Sequence, residues 1–217
     1  MQEQKQSRWD LFLLLSLLLV ILMYPLLDRS LLGRSVLGAL VFVPGVAATL
    51  KLSEMKGRVW PSRVLMSGAV VFGVADYFVP TRTLSAIKWA MLTAFFGLTV
   101  VTLFNYLKRA TFISQAHLYT AITIYLMMGI QWFALYNVID IVFPGSFMNT
   151  SSVAGVREPE LLYFSLVTLS TIGYGDIVPL QGEARMLAAL EGIAGVLYIA
   201  ITVALLVNAY RQQNNST

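Results

Sequence analysis

Between two long apolar segments of the chain lies the run TLSTIGYGDIVP, residues 168–179. Two glycines at alternate positions, Gly173 and Gly175, flank Tyr174, with Thr171 before them and Asp176 after. This spacing suits one kind of chemistry, the ligation of a dehydrated cation by backbone oxygen. A potassium ion gives up its water only to rings of oxygens that replace the hydration shell, and carbonyls from four symmetry-related strands can supply them. Successive carbonyls of an ordinary extended strand alternate sides. A strand that turns all of them to one axis needs positive φ at intervals, which glycine adopts without steric cost. On this reading Thr171, Ile172, Gly173 and Tyr174 present the ion-binding carbonyls, Gly175 completes the filter, and Thr171 adds a hydroxyl ring at the inner mouth. Tyr174 turns its ring away from the axis and braces the strand, while Asp176 leaves a carboxylate at the outer mouth. A glycine-rich turn between membrane helices is the simpler alternative. It accounts for a lone Gly-Tyr-Gly better than for T-x-x-T-x-G-Y-G followed by Asp.

A carbonyl ring needs an apolar frame, and the composition provides one. Of 217 residues, 58% are hydrophobic and 12% charged, against roughly a quarter charged in soluble domains; the mean hydropathy is +0.74. These values describe an integral membrane protein. A spanning helix needs about 20 mostly apolar residues, and six stretches qualify: Leu11–Leu27, Leu31–Leu50, Val64–Val79, Leu84–Leu107, His117–Phe143 and Ala184–Tyr210. The first has a basic residue before it but no small-residue cleavage site, which predicts a retained helix rather than a signal peptide. Glu158–Ser170 is too short to span and reads as a re-entrant pore helix, tolerated at membrane depth where protein surrounds it. With the N-terminus inside, Lys5, Arg8, Lys51, Lys56, Arg58, Arg63, Lys108, Arg109 and Arg211 fall on the cytoplasmic side. Arg29, Arg34, Arg82, Lys88, Arg157 and Arg185 fall outside. The bias places both termini in the cytoplasm and the filter entrance outside. The net charge of +4 reflects such loops and calls for no nucleic acid.

The filter run and its flanks resemble the pore domain of tetrameric potassium channels over the last hundred residues. The resemblance implies an all-α membrane fold of six transmembrane helices plus a pore helix and filter loop. Residues 1–110 would form a four-helix, voltage-sensor-like domain, and residues 111–217 the pore domain. One filter per chain means that a four-fold ring takes four chains, hence a homotetramer. Potassium is then the permeant ion and lipid the surrounding partner, with no cofactor. The family places a tryptophan pair where this chain has Tyr163 and Phe164. Tyr163 keeps a hydrogen-bond donor there, so a Tyr163–Asp176 bond is expected. Val167 stands where some bacterial members carry a glutamate, which implies a different inactivation behaviour. Gly192 and Gly195 lie near the family's hinge glycine, with Gly195 the nearer match and close packing the alternative role. Below them Ile199, Thr202 and Leu206 share a helical face suited to line the cavity or the lower constriction. Glu191, in mid-helix, must face protein or water, and no partner for it is evident in the sequence.

The fourth span, LSAIKWAMLTAFFGLTVVTLFNYL, has Lys88 as its one basic residue. Steep voltage gating takes several charges per subunit, each worth about 2.3 kcal/mol per 100 mV. The sensor-like domain therefore lacks sensor chemistry, and a steep voltage response is not expected. Asp76 is read as a structural ion pair with Arg34, Arg82 or Lys88, and Asp140 as a cap or pair near the outer loop. His117, the sole histidine, is expected to pack at the inner interface. Trp9, Trp60, Trp89 and Trp132 are candidate interface anchors, and Asn149-Thr150-Ser151 matches a glycosylation triplet. With seven residues after Tyr210, RQQNNST, a nucleotide- or calcium-binding domain is not expected there. With no cysteine, disulfides and thiol chemistry are excluded, and the absence of a His/acidic cluster argues against an enzyme. Two other classes compete: a non-conducting adaptor with a pore-like fold, and a transporter with filter-like loops. The intact single filter favours a channel of the plasma or inner membrane, whose gating stimulus the sequence does not identify.

Overall fold

In lipid, every backbone polar group must find its partner within the protein, and long Leu/Val/Phe-rich runs do so as helices. The computed structural model describes residues 2–27, 40–54, 60–109, 114–151 and 155–215. In chain order they form α1 (Gln2–Leu27), α2 (Phe42–Glu54), α3 (Trp60–Phe78), α4 (Arg82–Lys108), α5 (Gln115–Val142), β1 (Phe147–Asn149), α6 (Glu158–Leu169), β2 (Ile177–Pro179) and α7 (Gly182–Asn215). Arg82–Lys108, Gln115–Val142 and Gly182–Arg211 are long and apolar enough to cross a membrane. Asp10–Met23 and Phe42–Ser53 are shorter apolar helices. The span expected over Leu31–Leu50 lies partly outside the described residues, as do Arg29, Arg34, Lys56 and Arg58 and the side chain of Trp9. Its described part continues past Leu50 to Glu54 and takes Lys51 into the helix. Helix α3 starts ahead of the expected Val64, at Trp60. Pro61 is tolerated there because a first-turn N–H has no helical partner to lose.

The chain divides into two compact units, Met1–Val64 with Gly97–Met127 and Tyr198–Thr217, and Leu65–Phe96 with Met128–Leu197. Each draws residues from both sides of position 110. In the first unit α1 packs on α2, with Leu13, Leu17, Ala47, Ala48, Leu103 and Ile124 buried. A polar cluster lies within this core. Lys51 is ion-paired with Asp10 and donates to Thr120 Oγ1 at 2.9 Å. Thr120 in turn donates to Asp10 Oδ1 at 3.1 Å. Both charges are buried, and a buried charge persists only when paired. His117 stacks on Tyr106, ring centroids 5.3 Å apart, with Nδ1 2.8 Å from Ser114 Oγ.

In the second unit Asp76 pairs with Lys88 at 2.9 Å and accepts from Ser85 Oγ at 2.7 Å. Of the two described basic partners expected for Asp76, Lys88 reaches it and Arg82 does not. Arg82 instead donates to the Ile141 and Val142 carbonyls at the end of α5, capping groups left without helical partners. The core holds an aromatic cluster of Tyr136, Phe147 and Phe164, with ring centroids 5.2 to 5.4 Å apart. Trp89 is buried and packs edge-on against Phe133 at 5.0 Å, a core position in place of the expected interface anchor. Strands β1 and β2 pair antiparallel, Phe147 opposite Pro179 and Asn149 opposite Ile177.

Candidate functional site

The filter run is held between the end of α6 and β2. Helix α6 opens with Glu158 and Glu160 in its first turn, where negative charge favours the helix dipole, and Glu160 accepts from the Arg157 N–H at 2.7 Å. At its other end Ser170 Oγ donates to Leu166 O at 2.7 Å. Thr171 N–H donates to Thr168 O at 2.9 Å and Ile172 N–H to Val167 O at 3.0 Å. The last carbonyls of the helix are thereby used, and the chain leaves it in a defined direction. Val167 is half-buried.

The backbone then alternates. Thr171 has φ +59°, Gly173 +60° and Gly175 +79°. The glycines were expected to take positive φ; Thr171 joins them. A β-branched residue in that region is strained, by an amount on the order of 1–3 kcal/mol, and such strain clusters at functional sites. Regular alternation of positive φ is the pattern that turns successive carbonyls to one side of a strand. Ile172, Gly173 and Tyr174 are exposed on the single chain.

Supports flank the run. The Tyr163 ring lies parallel to Tyr174, centroids 6.4 Å apart and 3° between planes, and the Asp176 carboxylate lies near its hydroxyl. Phe164 is buried in the aromatic cluster with Tyr136 and Phe147. Thr150 donates to the Asp176 carbonyl with both its N–H, at 2.8 Å, and its hydroxyl, at 3.1 Å. The Ile177 N–H donates to Asp176 Oδ1 at 3.1 Å. The triplet at 149–151 thus has structural partners of its own, since Asn149 Nδ2 also donates to Glu160 Oε1 at 3.2 Å. Sequence reasoning missed Thr150 as a partner of Asp176. The signal was its short, polar, β-ribbon-adjacent setting opposite the residues that follow the filter.

Behind α6 lies a second polar group. Glu191 of α7 is 0% exposed. Its Oε1 is 2.6 Å from Ser165 Oγ, and its Oε2 accepts from the Tyr136 hydroxyl at 2.5 Å. Ser165 Oγ also lies 2.8 Å from the Gly129 carbonyl oxygen. These are the partners that the sequence did not reveal. Nearby, Gly195 is buried, and a Cβ there would stand 2.1 Å from the Leu169 carbonyl oxygen. Close packing against α6 therefore requires glycine at Gly195, whichever role bending plays. At Gly192 the nearest atom, Thr168 O, would be 3.7 Å away, an ordinary contact. Helix α7 runs unbroken through both.

The three residues expected to share a face on α7 differ in exposure on the single chain. Ile199 is 51% exposed and Leu206 half-buried, but Thr202 is 6% exposed. At 3.6 residues per turn Thr202 sits about 60° around the helix from Ile199, far enough for its own chain to cover it. Val203 and Val207, both exposed, continue the open side instead.

The sequence profile of the ion channel family matches residues 112–212. A Rhodopseudomonas palustris protein whose name is that of a potassium channel is 44% identical over 54 residues, 25% of this chain and 13% of that protein. The potassium voltage-gated channel protein shk-1 of Caenorhabditis elegans is 38% identical over 60 residues, 26% of this chain and 11% of the relative. Two pore potassium channel c of Oryza sativa is 34% identical over 87 residues, 39% of this chain and 17% of the relative. The chain thus spans less than a fifth of the length of each of these relatives. No solved structure matches it.

Proposed function

We propose that this chain, which its residues 112–212 place in the potassium channel family, conducts potassium passively through a filter made by Thr171, Ile172, Gly173 and Tyr174. The family is one of channels and not of enzymes. The observation that carries the reading is the positive φ at Thr171, Gly173 and Gly175, alternating through a strand that stands exposed on the single chain. Carbonyls turned to one side fit the oxygen ring that replaces potassium's hydration shell. One filter per chain calls for a homotetramer. Six spans, with residues 1–110 as a sensor-like domain and 111–217 as the pore domain, complete the proposed subunit, set in the cell membrane with both termini cytoplasmic. Lys88 is committed to Asp76, which supports a shallow voltage response.

Reconstitution in planar bilayers under a potassium gradient tests this. A reversal potential near the potassium equilibrium value, lost in Gly173→Ala, is the expected result. A cation current without potassium preference, or one that survives the substitution unchanged, would overturn the filter assignment.

A further inference from the structure

The group behind the filter contains more acceptors than its hydroxyl protons can serve, and counting them fixes a protonation state. Ser165 has one hydroxyl proton. Its oxygen lies 2.8 Å from the Gly129 carbonyl and 2.6 Å from Glu191 Oε1, both at full hydrogen-bond distance for oxygen pairs. The carbonyl can only accept, so the serine proton belongs to it. The contact with Glu191 then needs a proton of its own, and only the carboxyl can bring it. Tyr136 supplies the remaining proton to Oε2. With Glu191 neutral, the chain Tyr136 to Glu191 to Ser165 to Gly129 uses every proton once. With Glu191 ionised, one close oxygen pair is left without a proton, and a charge stands buried with no cation. Isolated buried carboxylates are strongly disfavoured.

The charged and titratable surroundings agree. From α5, Tyr136 reaches the carboxyl, while Asp140, one turn on, is engaged with the Ser146 N–H. From α6, Tyr163 faces Asp176, and Glu160 pairs with Arg157. On α7 itself Glu183 and Arg185 are exposed and more than one turn away. Among the described residues no lysine, arginine or histidine forms an ion pair with Glu191.

We propose that Glu191 is a neutral carboxylic acid whose proton ties α6 to α5 and α7, making it a positioning residue for the filter. Ser165 lies on the same short helix whose end delivers Thr171, so the tie sets where the filter begins. The positioning role rests on the filter reading above; the protonation state does not. Loss of the proton puts a charge against Ser165, draws the serine proton away from Gly129 and loosens the helix that carries the filter.

Infrared difference spectra of purified wild type against Glu191→Gln test the protonation. A protonated-carboxyl C=O stretch is expected in the wild type at neutral pH, absent from the variant and bleached as the pH is raised. Carboxylate bands alone would overturn the proposal. Glutamine keeps both bonds, its amide N–H donating to Ser165 and its oxygen accepting from Tyr136. The thermal midpoint and vesicle potassium flux of the wild type should therefore fall several-fold or by several degrees as the band bleaches, and those of Glu191→Gln should stay flat. An identical alkaline fall in the variant would refute the positioning role. Band and midpoint can be read in a protein that passes no current, so absent flux in both proteins would refute the channel reading and leave Glu191 to be judged on them.

Discussion

Placing a methyl group on Gly195 forces α7 against the backbone of α6. The added carbon would stand 2.1 Å from the Leu169 carbonyl oxygen, 3.1 Å from its carbonyl carbon and 3.2 Å from Leu169 Cδ1. Non-bonded heavy atoms settle at about 3.5 Å, so α6 and α7 must part by roughly 1 Å. The obstacle is main chain and cannot rotate aside. Overpacking of this kind costs about 1–3 kcal/mol, and Leu169 lies two residues before Thr171, so the displacement arrives at the filter. Gly192→Ala is the matched control. Its nearest contact is 3.7 Å, and alanine in place of glycine favours a helix by up to about 1 kcal/mol. Thermal unfolding in detergent should show Gly195→Ala destabilised and Gly192→Ala at or above wild type, with vesicle potassium flux reduced only in the former. Wild-type stability for Gly195→Ala would refute the packing argument. Impaired opening in both variants with stability untouched would identify a hinge instead.

Lys51→Met leaves Asp10 buried without its cation, which should cost about 3–5 kcal/mol. The double variant Asp10→Asn with Lys51→Met should recover much of it in the same melts. Thr150→Val removes the hydroxyl that bonds Asp176 O while the Thr150 N–H bond remains, and a loss of about 0.5–1.5 kcal/mol is expected by thermal unfolding. Lys88→Gln breaks the partly exposed pair with Asp76 and should cost no more than about 1 kcal/mol. In voltage steps its conductance–voltage slope should match wild type; a large change in slope would show that Lys88 carries gating charge.

Hydropathy located α4, α5 and α7 to within a few residues, because a long apolar run in lipid has one way to satisfy its backbone. The positive φ of Gly173 and Gly175 was legible for a different reason, since glycine spacing reports backbone conformation directly. The positive φ of Thr171 was not foreseen, because nothing about threonine advertises it; the end of α6 imposes it. Glu191 was recognisable as costly, but its partners stand 26 and 55 positions away on helices whose approach no local pattern encodes. The same holds for Asp10 and Thr120, which lie 110 positions apart. Helical spacing grouped Thr202 with Ile199 and could not foresee which edge of that face the chain would cover. Gly195 is the reverse case, a residue visible in the sequence whose reason lies in the backbone of another helix, which leaves no room for a Cβ.

The ribbon of β1 and β2 has a consequence for how the chain matures. It joins Thr150 to Asp176 across 26 positions, enclosing the whole of α6 and the filter in one loop. Closing a loop of that length costs about 3 kcal/mol of chain entropy, which must be met before the contacts inside it can help. Helix α6 can form early from local bonds, but the filter backbone acquires its second fixed end only when the ribbon zips. With the ribbon unpaired, residues 171–175 are fixed only at the end of α6. Conditions that weaken the ribbon would slacken that run while leaving the long apolar helices intact.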